Sequence, residues 1–120
     1  MALYDDLGGA PAIAAALDSF YPKVLADPKL SRHFAGVDID KLKIRVGAFF
    51  AMATGGPGDY AGPSLQAVHA RLVAEGLNDE VFDSFVGLFE GVLRELGVPD
   101  SNVGQVMALL RGARNEVLNR

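Results

Sequence analysis

The sequence contains no cysteine and no tryptophan, and only two histidines, His33 and His69. Without cysteine there can be no disulfide, no thiolate metal site and no thiol nucleophile. That absence fits a cytoplasmic protein, the localisation expected here, although many proteins of oxidising compartments lack cysteine too. A basic surplus is also missing. Eleven Lys and Arg face 15 Asp and Glu, for a formal charge of −4. Nucleic acid is therefore not an expected partner, because binding a phosphate backbone requires cations that displace counterions. No run approaches the roughly 20 continuous apolar residues that cross a bilayer, so no membrane partner is expected. Met1 to Gly9 carries two aspartates and no apolar run, and is not expected to be a signal peptide. Repeats, low-complexity tracts and useful lengths of period-two alternation are absent as well, which argues against strands.

What is present is hydrophobic residue in quantity, half of 120 positions. A chain of this length is expected to form one domain, residues 1–120, with its own core. The apolar spacing is helical throughout, so the fold class expected is all-α. Ile13, Leu17, Phe20, Tyr21, Val24 and Leu25 recur at steps of three and four, between Gly8–Gly9 and Asp27–Pro28. Pro22 interrupts that pattern and predicts a kink, or a helix restarting near Tyr21 and Pro22. A short helical segment is expected from Leu30 to Phe34. Asp38 is placed to cap a helix with Ile39, Leu42, Val46, Phe49, Phe50 and Ala53 on one face, stopped by Gly55–Gly56–Pro57–Gly58. A loop through Asp59, Tyr60 and Gly62 reaches Pro63–Ser64, the expected start of a short helix bearing Leu65, Val68, His69, Leu72 and Val73. Asn78 is placed to cap a long helix with Asp79 and Glu80 in its first turn and Val81, Phe82, Phe85, Leu88, Phe89, Val92, Leu93 and Leu96 on one face, ended by Gly97 and Pro99. A last helix carries Val103, Val106, Met107, Leu110, Ala113 and Val117.

Most catalytic chemistries lack their parts. A zinc site needs three or four ligands at suitable spacing, and neither histidine has a carboxylate or second histidine three or four residues away. There is no strand–turn–helix context for a nucleophile elbow, and the glycines at 55–58 lack the flanking strand and Lys-Ser/Thr of a phosphate loop. His69 falls on the apolar face of its helix. One account is a core histidine bonded to a backbone carbonyl. The other is a single axial ligand to haem iron, since the macrocycle supplies the four equatorial nitrogens. Phe34, Leu42, Val46, Phe49 and Phe50 offer apolar walls for such a ring, and equally suit a plain core. His33, beside Ser31 and Arg32, reads as a surface residue.

Taken in order, these segments resemble the group I truncated haemoglobins. The resemblance rests on Leu3-Tyr4-Asp5-Asp6-Leu7-Gly8-Gly9, on Phe20-Tyr21 with Val24-Leu25-Ala26-Asp27-Pro28, and on His33-Phe34-Ala35-Gly36. It continues through Phe49-Phe50 to Gly55-Gly56-Pro57, Val68-His69-Ala70 and Val117-Leu118-Asn119-Arg120. It implies a two-over-two helical sandwich around a haem, with His69 as the proximal iron ligand and Tyr21 as a distal hydrogen-bond donor. It further implies that Phe34 wedges the ring and that Leu42 and Val46 face the sixth position. Phe49, Phe50, Leu65 and Leu72 complete the walls, with Phe50 a candidate gate for gas. Arg45, with Lys41 or Lys43, would pair with the haem propionates, or else be a solvated flank.

Two departures matter. The family often places glutamine where this chain has Val46, or histidine where it has Arg45. Some relatives also bond haem covalently through a histidine at the position of Ala113. The expectation is therefore a non-covalent haem b and a dry distal side that releases oxygen quickly. The implied function is reversible binding of O2, CO and NO, as in oxygen transport, with nitric oxide dioxygenation if an electron donor or reductase serves it. A cofactor-free helical interaction module is the alternative. A dedicated peroxidase is disfavoured, since Leu42 and Val46 supply no distal base.

Overall fold

The computed structural model describes residues 3–56 and 65–119, without the side chains of Leu65, Gln66 and Val68; the loop expected at 57–64 lies outside the described residues. All regular structure among the described residues is helical. The elements are α1 (Leu3–Leu7), α2 (Gly9–Ala26), α3 (Pro28–Ser31), a 3-10 turn (Arg32–Phe34), α4 (Ile39–Ala53), α5 (Leu65–Ala74), α6 (Asp79–Glu95), α7 (Asp100–Gly112) and α8 (Arg114–Val117).

The helix starts follow local chemistry. Asp27, Asp38 and Asn78 each accept a backbone N–H of the following turn, from Lys29, Lys41 and Val81 at 2.9, 3.2 and 3.1 Å. Such caps each contribute about 1 kcal/mol. Pro22 does not restart α2, which runs unbroken from Gly9 to Ala26. Tyr21 stays buried beside it. The C-terminal segment, in contrast, divides at Ala113 into α7 and α8, where one helix was expected.

The core is built by α2, α6 and α7, whose Val24, Val92, Val103 and Val106 are shielded almost completely, along with Leu30 of α3. At about 1.5–3 kcal/mol for each large side chain removed from water, this triangle is the main source of stability. Leu25 and Leu96, expected on buried faces, are instead 44% and 47% exposed. Both lie at the end of a helix, where the apolar stripe runs past the last packed neighbour. Helix α4 lies across α2 and buries none of its residues fully. Arg114 ties α8 back to the first two turns of α6 through Asp79 and Asp83, and stacks over Phe82.

The end of α4 is closed by the N-terminus. The Tyr4 N–H donates to the Thr54 carbonyl at 2.9 Å, and the Gly56 N–H reaches the Ala51 carbonyl at 2.6 Å. The Tyr4 ring lies so close to Gly56 that an added Cβ would stand 2.5 Å from it. Gly56→Ala should therefore push α1 off α4 and destabilise the protein by about 1–3 kcal/mol, measured as a lower urea midpoint at unchanged slope.

Candidate functional site

Tyr21 and Phe34 are brought together as an edge-to-face pair, with ring centroids 6.0 Å apart. Phe34 also meets Phe85 at 5.8 Å, and Phe20 meets both Tyr21 and Phe89 at 5.2 Å. Phe50 of α4 completes the series against Phe89, again at 5.2 Å. Tyr21, Phe34 and Phe50, 29 residues apart in sequence, thus belong to one aromatic network. Its other members, Phe20, Phe85 and Phe89, read in the sequence as ordinary core positions. Nothing in their spacing marks them as supports of a site.

The Tyr21 phenol sits at 5% exposure, and burial alone pushes its pKa from 10.0 up to about 12. No hydrogen bond from the described residues offsets that burial. A phenol held this way stays neutral and can donate a hydrogen bond. Leu42, Val46, Phe49 and Phe50 on α4 are half-buried, as are Phe34, Leu72 and His69. Most of these pack on the margin of the core without being closed in by it. Leu65 lies in α5, but its side chain is outside the described residues.

Of the cations on α4, Lys43 is engaged by Asp18 of α2 at 3.1 Å. Arg45 is exposed and forms no ion pair among the described residues. An apolar cleft of about 200 Å³ is lined by Phe50 with Ile13, Ala16, Phe89 and Val106 among others.

His33 corrects the expectation of a surface residue. The 3-10 turn rotates it inward to 3% exposure, while polar Arg32 takes the outer position. Its Nδ1 has no hydrogen-bond partner among the described residues. Burial, and then Arg32, hold its pKa below the ordinary 6.5, with Glu75 opposing. The imidazole therefore stays neutral in the fold while the unfolded chain takes up a proton near pH 6.5. This contribution to stability is complete above that pH and is lost as pH falls below it. His33→Gln should flatten the loss between pH 7 and 5, read from urea melts across that range.

Residues 2–119 match the bacterial-like globin family. The sequence is 36% identical to the group 1 truncated haemoglobin GlbN of Synechocystis sp., over 98% of each chain. The chain belongs to the group I truncated haemoglobins. The 2/2 haemoglobin of Synechococcus sp. PCC 7002, solved in the cyanomet state with covalently attached haem, superposes on this globin with a TM-score of 0.96. The two are 37% identical, and the likeness covers 100% of both chains. The ferric truncated haemoglobin of Tetrahymena pyriformis is 30% identical, with a TM-score of 0.90 over 98% of each chain. The all-α, two-over-two architecture is thus the family's, and haem is the cofactor that the family implies. The residues here fit such a group. Among the described residues Tyr21 has no hydrogen-bond partner for its hydroxyl, and the apolar stripe of α4 is only half-buried.

Proposed function

We propose that residues 1–120 form one globin domain that holds haem b non-covalently through His69 and reversibly binds O2, CO and NO. The observation that carries this reading is the buried Tyr21 ring, packed on Phe34 and with no hydrogen bond among the described residues, beside an α4 stripe of half-buried apolar side chains. When bound, haem supplies an iron site for diatomic gases. His69 would provide the axial imidazole, and Phe34, Leu42, Val46, Phe49, Phe50, Leu65 and Leu72 the apolar walls. Arg45 would meet the propionates, as Lys43 is already paired with Asp18. The histidine expected of a covalent attachment is replaced by Ala113, and His33 is occupied in the 3-10 turn.

On the distal side Tyr21 is the main polar group. The Tetrahymena pyriformis protein has also been solved with one tyrosine changed to phenylalanine, and separately with each of two glutamines changed to glutamate. Its tyrosine and glutamines are spaced by 21 and then four residues, the intervals that separate Tyr21, Leu42 and Val46 here. Two apolar side chains in place of two amides leave fewer donors to retain a polar gas ligand, so oxygen release should be faster in this globin. The cleft beside Phe50 is a route for gas, with the Phe50 ring as its gate. Nitric oxide dioxygenation in the cytoplasm, supported by a reductase, is the enzymatic form of the same proposal.

Titrating the haem-free protein with haem and recording ferric, ferrous and CO-bound spectra tests the reading. One haem per chain with a histidine-ligated ferrous spectrum supports it. Weak, non-stoichiometric uptake would leave the cofactor-free helical module instead.

A further inference from the structure

The 3-10 turn touches both sides of the site. At one end the Phe34 ring packs on Tyr21. At the other, the Arg32 guanidinium crosses to α5, where its Nη2 donates to the Glu75 carbonyl at 2.5 Å. That carbonyl lies one residue beyond α5, where helix carbonyls run out of intrahelical partners and the dipole favours a cation. The surrounding turn is shaped for the contact. Gly76 adopts φ +114°, and a Cβ there would stand 3.0 Å from Arg32 Nη2. The Leu77 N–H then closes back on the Leu72 carbonyl at 2.9 Å, and the Leu77 side chain is buried.

None of the described α5 side chains is fully buried; Leu72 and Val73 pack on the margin of the core, and the helix leans on α8. The contact with Arg32 fastens its C-terminal end, six residues beyond His69. We propose that Arg32 is a positioning residue for His69. Its hydrogen bond to Glu75 fixes α5 against the turn that also seats Phe34 on Tyr21, so one three-residue element sets both sides of the haem cleft. The inference rests on the reading of His69 as the iron ligand.

The test compares Arg32→Met, which keeps length without a donor, with Arg32→Lys, which restores a cation able to reach the carbonyl. Three readouts are taken: amide exchange over residues 72–77 in the haem-free chain, haem transfer to excess apomyoglobin, and the iron–histidine stretching band of the ferrous protein. In Arg32→Met, exchange should accelerate about tenfold and haem loss roughly three- to tenfold, as for a lost charge-assisted hydrogen bond. The band should also shift or broaden, and Arg32→Lys should recover most of each change. A band and a haem-loss rate unchanged in Arg32→Met, or altered to the same extent in Arg32→Lys, would overturn the proposal. Arg32→Gln, whose donor is too short to span the gap, is read in the same way if the methionine variant does not fold. Failure of the wild type to take up haem would refute the His69 reading separately, while the amide exchange still judges the tether.

Discussion

His69→Ala is expected to abolish stoichiometric haem uptake while leaving the helical fold intact. Changes to groups that merely orient a metal ligand already lower affinity by 10- to 100-fold, so loss of the axial imidazole itself should cost on the order of 100-fold or more. His33 offers no replacement, because it is enclosed in the 3-10 turn. His69 is only half-buried and lies on a helix without fully buried described side chains, so the substitution leaves the α2–α6–α7 core untouched. Absorbance titration with haem gives the affinity, and circular dichroism of the haem-free variant gives the fold. Added imidazole should restore the spectrum in the alanine variant by entering the vacated space. Wild-type-like haem affinity in this variant would return His69 to the role of a core histidine.

Tyr21→Phe is expected to have opposite effects on gas retention and on stability. Removal of a hydrogen bond to a ligand bearing partial negative charge should accelerate oxygen dissociation by about ten- to hundredfold, the equivalent of about 1.5–3 kcal/mol. Carbon monoxide, which draws less charge, should respond less. The haem-free protein should become no less stable, because the phenol makes no hydrogen bond to the described residues and the ring contacts with Phe20 and Phe34 remain. The alkaline limb supplies an independent check. With the phenol raised from 10.0 to about 12, the wild type has its full contribution below pH 10 and loses it as pH climbs toward 12. The phenylalanine variant should lack that loss. Stopped-flow oxygen release and chemical melts measure the two effects, and an unchanged release rate would remove Tyr21 from the distal site.

The parts of this architecture legible in the sequence are those decided within a few residues. Asp38 and Asn78 cap helices because an acceptor at that position satisfies the next turn whatever the rest of the chain does. Gly55, at φ +85°, ends α4 for an equally local reason. His33 was misread because its polar neighbours suggest a surface, whereas a 3-10 turn advances each residue farther around the axis than an α-helix and points the imidazole inward. The Tyr4–Gly56 and Arg32–Glu75 contacts were not legible at all, since each joins segments more than 40 residues apart. For the site, the role of Tyr21 follows from resemblance alone, whereas Phe34 and Phe50 are also marked by their apolar character. Their common support by Phe20, Phe85 and Phe89 emerges only when α2 and α6 are packed.

Burial is divided unevenly between the two sets of helices. Among the described residues, the frame of α2, α6 and α7 owns most of the enclosed side chains, whereas α4 owns none. Resistance to opening is therefore graded within a single small protein, as it is wherever some elements have few enclosed apolar contacts. A ligand that binds only the closed arrangement strengthens the weak elements in proportion to its occupancy. Haem supply would thus govern the lifetime of this globin as well as its spectrum. The chain made before the cofactor arrives has a durable centre and two walls that a protease can still prise away.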